Sequence, residues 1–229
     1  MTQKSIQGVL FDMDGLILDT EKWLQIFYRK AANDLGFTVN PEYILSIRSL
    51  PAPLAEKKMK QLVGEDFDFM AVRELRKQYM NEHIAKNGVE KKKGIDELLQ
   101  YIHQNNLKCA VATATAIPVA KDYLAQAGVL HYFDKIVSAS MVKNGKPQPD
   151  IYIETARQLN LSPEHCMALE DSPNGVISAY RAGCVTVMVP DLTQPDEELS
   201  KIIYAKADDL NAVIPLIEKF NYTERLKIK

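Results

Sequence analysis

The sequence predicts an α/β protein built on a parallel sheet, and three observations carry that expectation. Short apolar runs rich in β-branched residues alternate with longer amphipathic stretches. The apolar runs are nearly continuous rather than alternating, as expected of strands covered on both faces. The intervening stretches carry proline near their starts and glycine just past their ends.

Taken in order, "IQGVLFD" is the first strand, and "LKCAVATA", "DKIVSA", "CMALED" and "VTVMVP" are later ones. "IPVAKDYLAQAG" reads as a helix opened by Pro118 and closed by Gly128. "PDIYIETARQLN" reads as a second, with Asp150 at the cap position. "SPNGVISAYRAG" runs from Pro173 to Gly183, and "DLNAVIPLIEKF" closes the domain. Between the first two strands the pattern changes. "EKWLQIFYRKAANDLG" sets Trp23, Phe27, Ala31 and Leu35 on one helical stripe, and "FMAVRELRKQYMNEHI" does the same with Val72, Leu75 and Tyr79. No strand-like run interrupts them. The expected organisation is a sheet-bearing core from residues 1–18 and 93–229, with a helical insertion over 19–92. The lysines of "EKKKG" at its exit read as a solvated hinge surface.

The bulk properties exclude several function classes. The chain has 229 residues, 46% hydrophobic and 25% charged, enough for a sizeable core. With 28 basic against 30 acidic residues the net charge is -2, which gives no footprint for nucleic acid or an anionic membrane. Cys109, Cys166 and Cys184 lie in apolar runs without a CxxC pattern and read as buried reduced thiols. "MTQKSIQ" enters the first strand without the features of a signal peptide, and no apolar run is long enough to span a bilayer. A cytoplasmic location follows as the expectation, with a monomer as the default for so balanced a surface.

Ligands in open α/β sheets settle beyond the carboxyl ends of the strands, and four such ends carry polar groups here. Asp12-Met13-Asp14-Gly15 follows the first strand. Phosphoryl transfer through a carboxylate needs a nucleophile and a second group to move protons, and two aspartates one residue apart can divide those tasks. Asp12, ending the regular strand, is the candidate nucleophile; Asp14, on the turn, is the candidate acid and base. Gly15 fits a sharp bend or a close approach to ligand. Read alone, the same residues could be an acidic turn with Asp14 as a local cap. "VATATA" ends in Thr113, Ala114 and Thr115, where a hydroxyl and free N–H groups can hold an anionic oxygen; a strand-edge threonine is the plainer alternative. In "KNGKPQPD", Lys146 is fixed between Gly145 and Pro147, able to offset repulsion between a carboxylate and a phosphate. "ALEDSPNG" supplies Glu170 and Asp171, hard oxygen donors that suit Mg²⁺, although Asp171 or Ser172 could cap the next helix.

Together these motifs resemble the haloacid dehalogenase-like (HAD) superfamily, in its phosphatase and phosphomutase branch. "FDMDG" matches the family's first motif, Thr113 its second, Lys146 in "GKPQPD" its third and "EDSPNG" its fourth, so the likeness covers nearly the whole chain. The resemblance implies a Rossmann-like core with an α-helical cap domain inserted after the first motif. It implies Asp12 as nucleophile, Asp14 as general acid and base, and Thr113, Ala114 and Lys146 as holders of the substrate phosphate. Mg²⁺ is then the implied cofactor, bound by Asp12, the backbone carbonyl of Asp14, and Asp171, with Glu170 in or beside its first shell. A chain that keeps both aspartates resembles the members that move phosphate between oxygens, not the dehalogenases.

The expected activity is Mg²⁺-dependent hydrolysis of a small phosphomonoester, a sugar phosphate or related metabolite, through an aspartyl-phosphate. A phosphosugar mutase of the β-phosphoglucomutase type is the alternative. Those mutases carry a histidine where Leu24 stands here, and an arginine in the cap loop where Ala52 or Pro53 aligns, with Arg48 close by. A non-catalytic ligand-binding protein of the same fold would be expected to have lost a motif residue, and none is missing. Trp23, Phe27 and Tyr28 read as packing of the first cap helix or as lining of the cleft. His83, His103, His131 and His165 show no metal-ligand spacing. Asp19 and Thr20 are expected to start the first cap helix, with Glu21 complementing its dipole.

Overall fold

Four residues, Gly8–Phe11 (β1), are buried to the last side chain and pair in parallel with a strand on each side, which accounts for their unbroken apolarity. The computed structural model describes residues 5–226. "MTQK", read as leading into the first strand, lies outside them. After β1 come four helices in succession, α1 (Glu21–Asp34), α2 (Pro41–Leu45), α3 (Ala52–Val63) and α4 (Phe69–Asn87). The chain then continues through α5 (Ile95–Gln104), β2 (Lys108–Thr113), α6 (Ile117–Gln126), β3 (Lys135–Ser138) and α7 (Asp150–Gln158). It closes with β4 (Cys166–Glu170), α8 (Pro173–Ala182), β5 (Val185–Met188), α9 (Glu197–Ile202), β6 (Ala205–Lys206) and α10 (Val213–Leu226).

The strands form one parallel sheet in the order β3-β2-β1-β4-β5-β6, the Rossmann-like arrangement. Its winding reverses at β1, so a crevice opens beyond the carboxyl ends of β1, β2 and β4. Successive residues of a strand face opposite sides, and each side has its own core. Val9, Phe11, Val111 and Leu169 pack with α5, α6 and α10 on one face. Leu10, Ala110, Ala112 and Ala168 pack with Ile151, Tyr152 and Ala156 of α7 on the other. The alanines on this second face leave room for Tyr152, which is fully buried at the end of β4. β6 has only two residues and was not anticipated.

The inserted helices have a separate apolar cluster, formed by Tyr28, Ala31, Ala32, Ile44, Met59, Phe67, Phe69 and Val72 among others. Leu35 does not join it: α1 ends at Asp34, the stripe ends with the helix, and Leu35 is 40% exposed. Trp23 and Phe27 pack instead against the sheet-side core at the base of the insertion, with His83 4.0 Å from the Trp23 ring. The outgoing and returning chains are hydrogen-bonded to each other, Asp19 N to Glu90 O (2.9 Å) and Lys92 N to Ile17 O (2.9 Å). The lysines at this exit are not merely solvated. Lys92 bonds Asp191 at 2.9 Å, Lys91 bonds Asp96, and only the largely exposed Lys93, bonded to Asp209, fits the expectation fully.

One helix cap differs from expectation, and another falls to one of the two candidates named for it. Asp150 is the first residue of α7, after Pro149 at the cap, and its carboxylate accepts from the backbone N (3.1 Å) and side-chain N (3.0 Å) of Asn144. It therefore pins the loop that carries Lys146. At α8 the cap is Ser172, whose Oγ accepts from Gly175 N, so Asp171 does not serve as the cap. Cys109, Cys166 and Cys184 are buried free thiols. Among the described residues no helix is long and apolar enough to cross a membrane.

Candidate active site

Asp12 lies one residue beyond β1, Thr113 ends β2, Glu170 ends β4, and Lys146 rises from the loop that Asp150 anchors. Parallel strands in register bring these ends to one level of the sheet. Lys146 Nζ, on a side chain 2% exposed, donates to Asp12 Oδ1, to Glu170 Oε1 (2.6 Å) and to Ala112 O (3.1 Å). All three of its protons are thereby used. The acids around it hold the ammonium well above the usual lysine range despite burial, with Asp12 the larger contributor. Burial pushes the Asp12 carboxyl up to about 7, against the pull of Lys146.

The far oxygen of this cluster belongs to Asp171, 1% exposed, which receives Nη2 of Arg48. Burial raises Asp171 well above the carboxylate range even with that guanidinium beside it. Carboxylate oxygens of Asp12, Glu170 and Asp171 all lie within 4.8 Å of one another. Three acids face two cations, Lys146 and Arg48, so with all three ionised the cluster carries a surplus of negative charge that burial opposes. Hard oxygen donors, close spacing and unmet negative charge fit a divalent cation. Glycine completes the cradle at two points. Gly15 has φ +86°, and a Cβ there would meet Asp171 Oδ2 at 2.3 Å; a Cβ on Gly175 would meet Glu170 Oε2 at 1.9 Å.

Asp14 is placed apart from this cluster by two hydroxyls. Thr20 Oγ1 donates to its Oδ1 at 2.7 Å and Thr115 Oγ1 to its Oδ2 at 2.8 Å. Thr20 stands at the N-cap of α1, but its side chain makes no cap bond; it serves Asp14 instead. Thr113 Oγ1 accepts from Thr115 N at 3.0 Å, fixing the turn that exposes Ala114. All of Asp12, Asp14, Thr113, Ala114 and Lys146 line one cavity of about 630 Å³ between the sheet end and the inserted helices.

Of the helical wall of that cavity, Tyr28 and Arg48 were weighed in the sequence, and Glu21, Arg73 and Arg76 were not placed there. Glu21, read as a dipole partner of α1, faces the cavity with its Oε2 3.2 Å from Arg48 Nε, and burial raises its carboxyl to about 7. Arg48 is 6% exposed, and its carbonyl accepts from Asn174 Nδ2 (2.8 Å), so it ties the insertion to α8. Arg73 and Arg76 of α4 also face the cavity, as does Tyr28 alone of the three aromatics weighed earlier. Their spacing of three along one helix was the available signal. The four histidines lie elsewhere.

Residues 9–189 match the family model for haloacid dehalogenase-like hydrolases. The chain belongs to that family. It is 31% identical over 182 residues to a phosphorylated carbohydrates phosphatase of Thermotoga maritima, covering 78% of this chain and 82% of that one. It is 30% identical over 190 residues to hexitol phosphatase A of Escherichia coli, covering 80% and 82%. Its fold is also that of a β-phosphoglucomutase from Clostridium difficile, with a TM-score of 0.80 at 24% identity over 96% of this chain and 99% of that one.

Proposed function

We propose that this phosphoric monoester hydrolase is a Mg²⁺-dependent phosphatase of small phosphorylated metabolites, sugar phosphates foremost, working through an aspartyl-phosphate on Asp12. One observation carries the reading: the Asp12 carboxylate stands at the end of β1, facing the cavity, with Lys146 bonded to it and the Glu170–Asp171 pair beside it. The two phosphatase relatives support the same substrate class.

An Asp12 oxygen attacks phosphorus while the bond from phosphorus to the substrate alcohol breaks. Asp14 gives its proton to the departing alkoxide, then takes one from the water that cleaves the acyl phosphate and restores the Asp12 carboxylate. The hydroxyls of Thr20 and Thr115 fix the direction from which Asp14 acts. The Thr113 hydroxyl and the backbone N–H of Ala114 receive the phosphate oxygens, and Lys146 turns one proton from Asp12 to them as that carboxylate is esterified and gives up its charge. Asp12, the Asp14 carbonyl, Glu170 and Asp171 are the groups that would hold Mg²⁺, which supplies neutralising charge between these acids and the incoming phosphate. Residues 19–92 act as a cap over the core of 1–18 and 93–229, excluding bulk water when closed.

Leu24 lines the cavity where a mutase would present an imidazole, and Arg48 is engaged by Glu21 and Asp171; both favour release of phosphate to water. The test is a sugar-phosphate panel with Mg²⁺ and again with chelator, reading free phosphate and isomerised sugar. Metal-dependent free phosphate is the expected product. Isomerised sugar formed faster than phosphate would replace this reading with a mutase.

A further inference from the structure

The cations of the helical wall are not all accounted for by the reaction. Arg48 is taken by Asp171 and Glu21, and Lys77 by Glu74 at 2.5 Å. Arg73 and Arg76, one turn apart on α4, have no hydrogen bond or ion pair among the described residues. Both are half-buried, and the Nε of Arg76 is sealed from solvent without a partner. Tyr28, 3% exposed and on the same wall, also has a buried hydroxyl with no partner.

A guanidinium with a donor sealed from solvent and no counter-charge is costly, and a second one a helical turn away adds repulsion. Burial and Arg73 together lower the Arg76 guanidinium from its ordinary range. The acids close enough to act on Arg76 are Glu21 and Asp14, yet Glu21 pairs with Arg48 and Asp14 accepts two threonine hydroxyls. A neutral polyol would satisfy hydrogen bonds here but leave both charges unmet. An anion entering the cavity would satisfy both guanidinia, with the Tyr28 hydroxyl as a further donor. The cavity, about 630 Å³, has room for a sugar carrying two such groups.

We propose that Arg73 and Arg76 bind a second anionic group, a carboxylate or a second phosphate, on the alcohol portion of the substrate. The preferred substrates are thus phosphorylated sugar acids or sugar bisphosphates, in preference to phosphorylated neutral polyols. The inference rests on the phosphatase reading for the orientation of the substrate, with its reacting phosphate at Asp12 and the remainder toward α4.

The test separates recognition from chemistry. Calorimetry on the Asp12→Asn variant with Mg²⁺ would compare phosphogluconate, fructose bisphosphate and sorbitol phosphate. At least one of the two doubly anionic ligands should bind roughly tenfold or more tightly than sorbitol phosphate, and which one does so identifies the second group as carboxylate or phosphate. Arg76→Met in the same background should erase most of that preference, and Arg76→Lys should keep part of it. Arg73→Met gives the same reading where Arg76→Met fails to fold. Equal binding of all three ligands, or an arginine variant that weakens all three by one factor, overturns the subsite. Charge-selective binding beside a wild type that releases no phosphate from any of them would keep the subsite and remove the phosphatase reading.

Discussion

On the sheet side of the cavity, every charged group has a partner: Lys146 serves two acids and a carbonyl, Asp14 takes two hydroxyls, and Asp171 holds Arg48. On the helical side, Arg73 and Arg76 face the same space with no partner among the described residues. The first wall is rooted in strand ends, whose spacing a parallel sheet sets in advance. The second is carried by faces of α1, α4 and the turn after α2, whose directions depend on how those helices pack. The difference separates two tasks. A fixed constellation whose groups are tied to one another suits a reaction common to many substrates, and a wall with unpartnered cations suits the choice among them.

Removing the nucleophile should give the largest effect. Asp12→Asn keeps the shape of the side chain and its place beside Lys146, so the fold should survive while phosphate release falls on the order of 10⁴-fold or more. Circular dichroism and steady-state phosphate release check the two halves. Retention of most activity would take Asp12 out of the covalent step.

Next in size is loss of the ammonium that binds the sheet wall together. Lys146→Met leaves Asp12 and Glu170 facing each other without their shared cation. A buried pair broken on one side costs about 3–5 kcal/mol, and urea unfolding at neutral pH should show a loss of that order. No comparable change should follow Arg73→Met, because Arg73 holds no ion pair among the described residues. Similar losses for both variants would show that the two walls do not differ in the way described.

What could be read from the sequence follows the same division. "FDMDG", Thr113, Lys146 and "EDSPNG" each sit at the end of an apolar run, and the sheet topology brings such ends together whatever the details of packing. Local chemistry was harder. Asp150 and Thr20 both stand where helix caps are expected, yet one braces the Lys146 loop and the other holds Asp14. A side chain near a helix start has several backbone and side-chain partners to choose from, and order along the chain does not rank them. Arg48 and Glu21 meet only because α1 and the turn after α2 fold toward each other, a tertiary fact without a local signal. β6 was missed because two residues carry no periodicity.

A smaller effect is expected at Asp14. Thr20→Val and Thr115→Val each delete one hydroxyl donor to a carboxylate, a bond worth about 1.5 kcal/mol or somewhat more. Either change should lower kcat roughly tenfold with little change in KM, since it loosens the proton-transfer group and not the phosphate site. An equal change in KM would move these hydroxyls from positioning Asp14 to binding substrate.

The smallest effect calibrates the others, because it lies on the surface of α7, away from both walls. Glu154 accepts from Arg157 Nε and Nη2, each at 2.7 Å, and from Gln158 at 2.9 Å, which lowers its carboxyl to about 2. A carboxyl depressed on folding stabilises the protein above its ordinary value near 4.5, and that contribution is lost as pH falls through about 2. The Arg157 side chain is 70% exposed, so solvent screening limits the pair to about 0.3–0.5 kcal/mol at neutral pH. Glu154→Gln should therefore lower the unfolding free energy by that amount at pH 7, and the gap to wild type should narrow as the pH is brought from about 5 toward 2. A loss of several kcal/mol would mean that a solvated pair on this helix counts as much as the buried Lys146 cluster, and burial would no longer explain why the sheet wall is so sensitive.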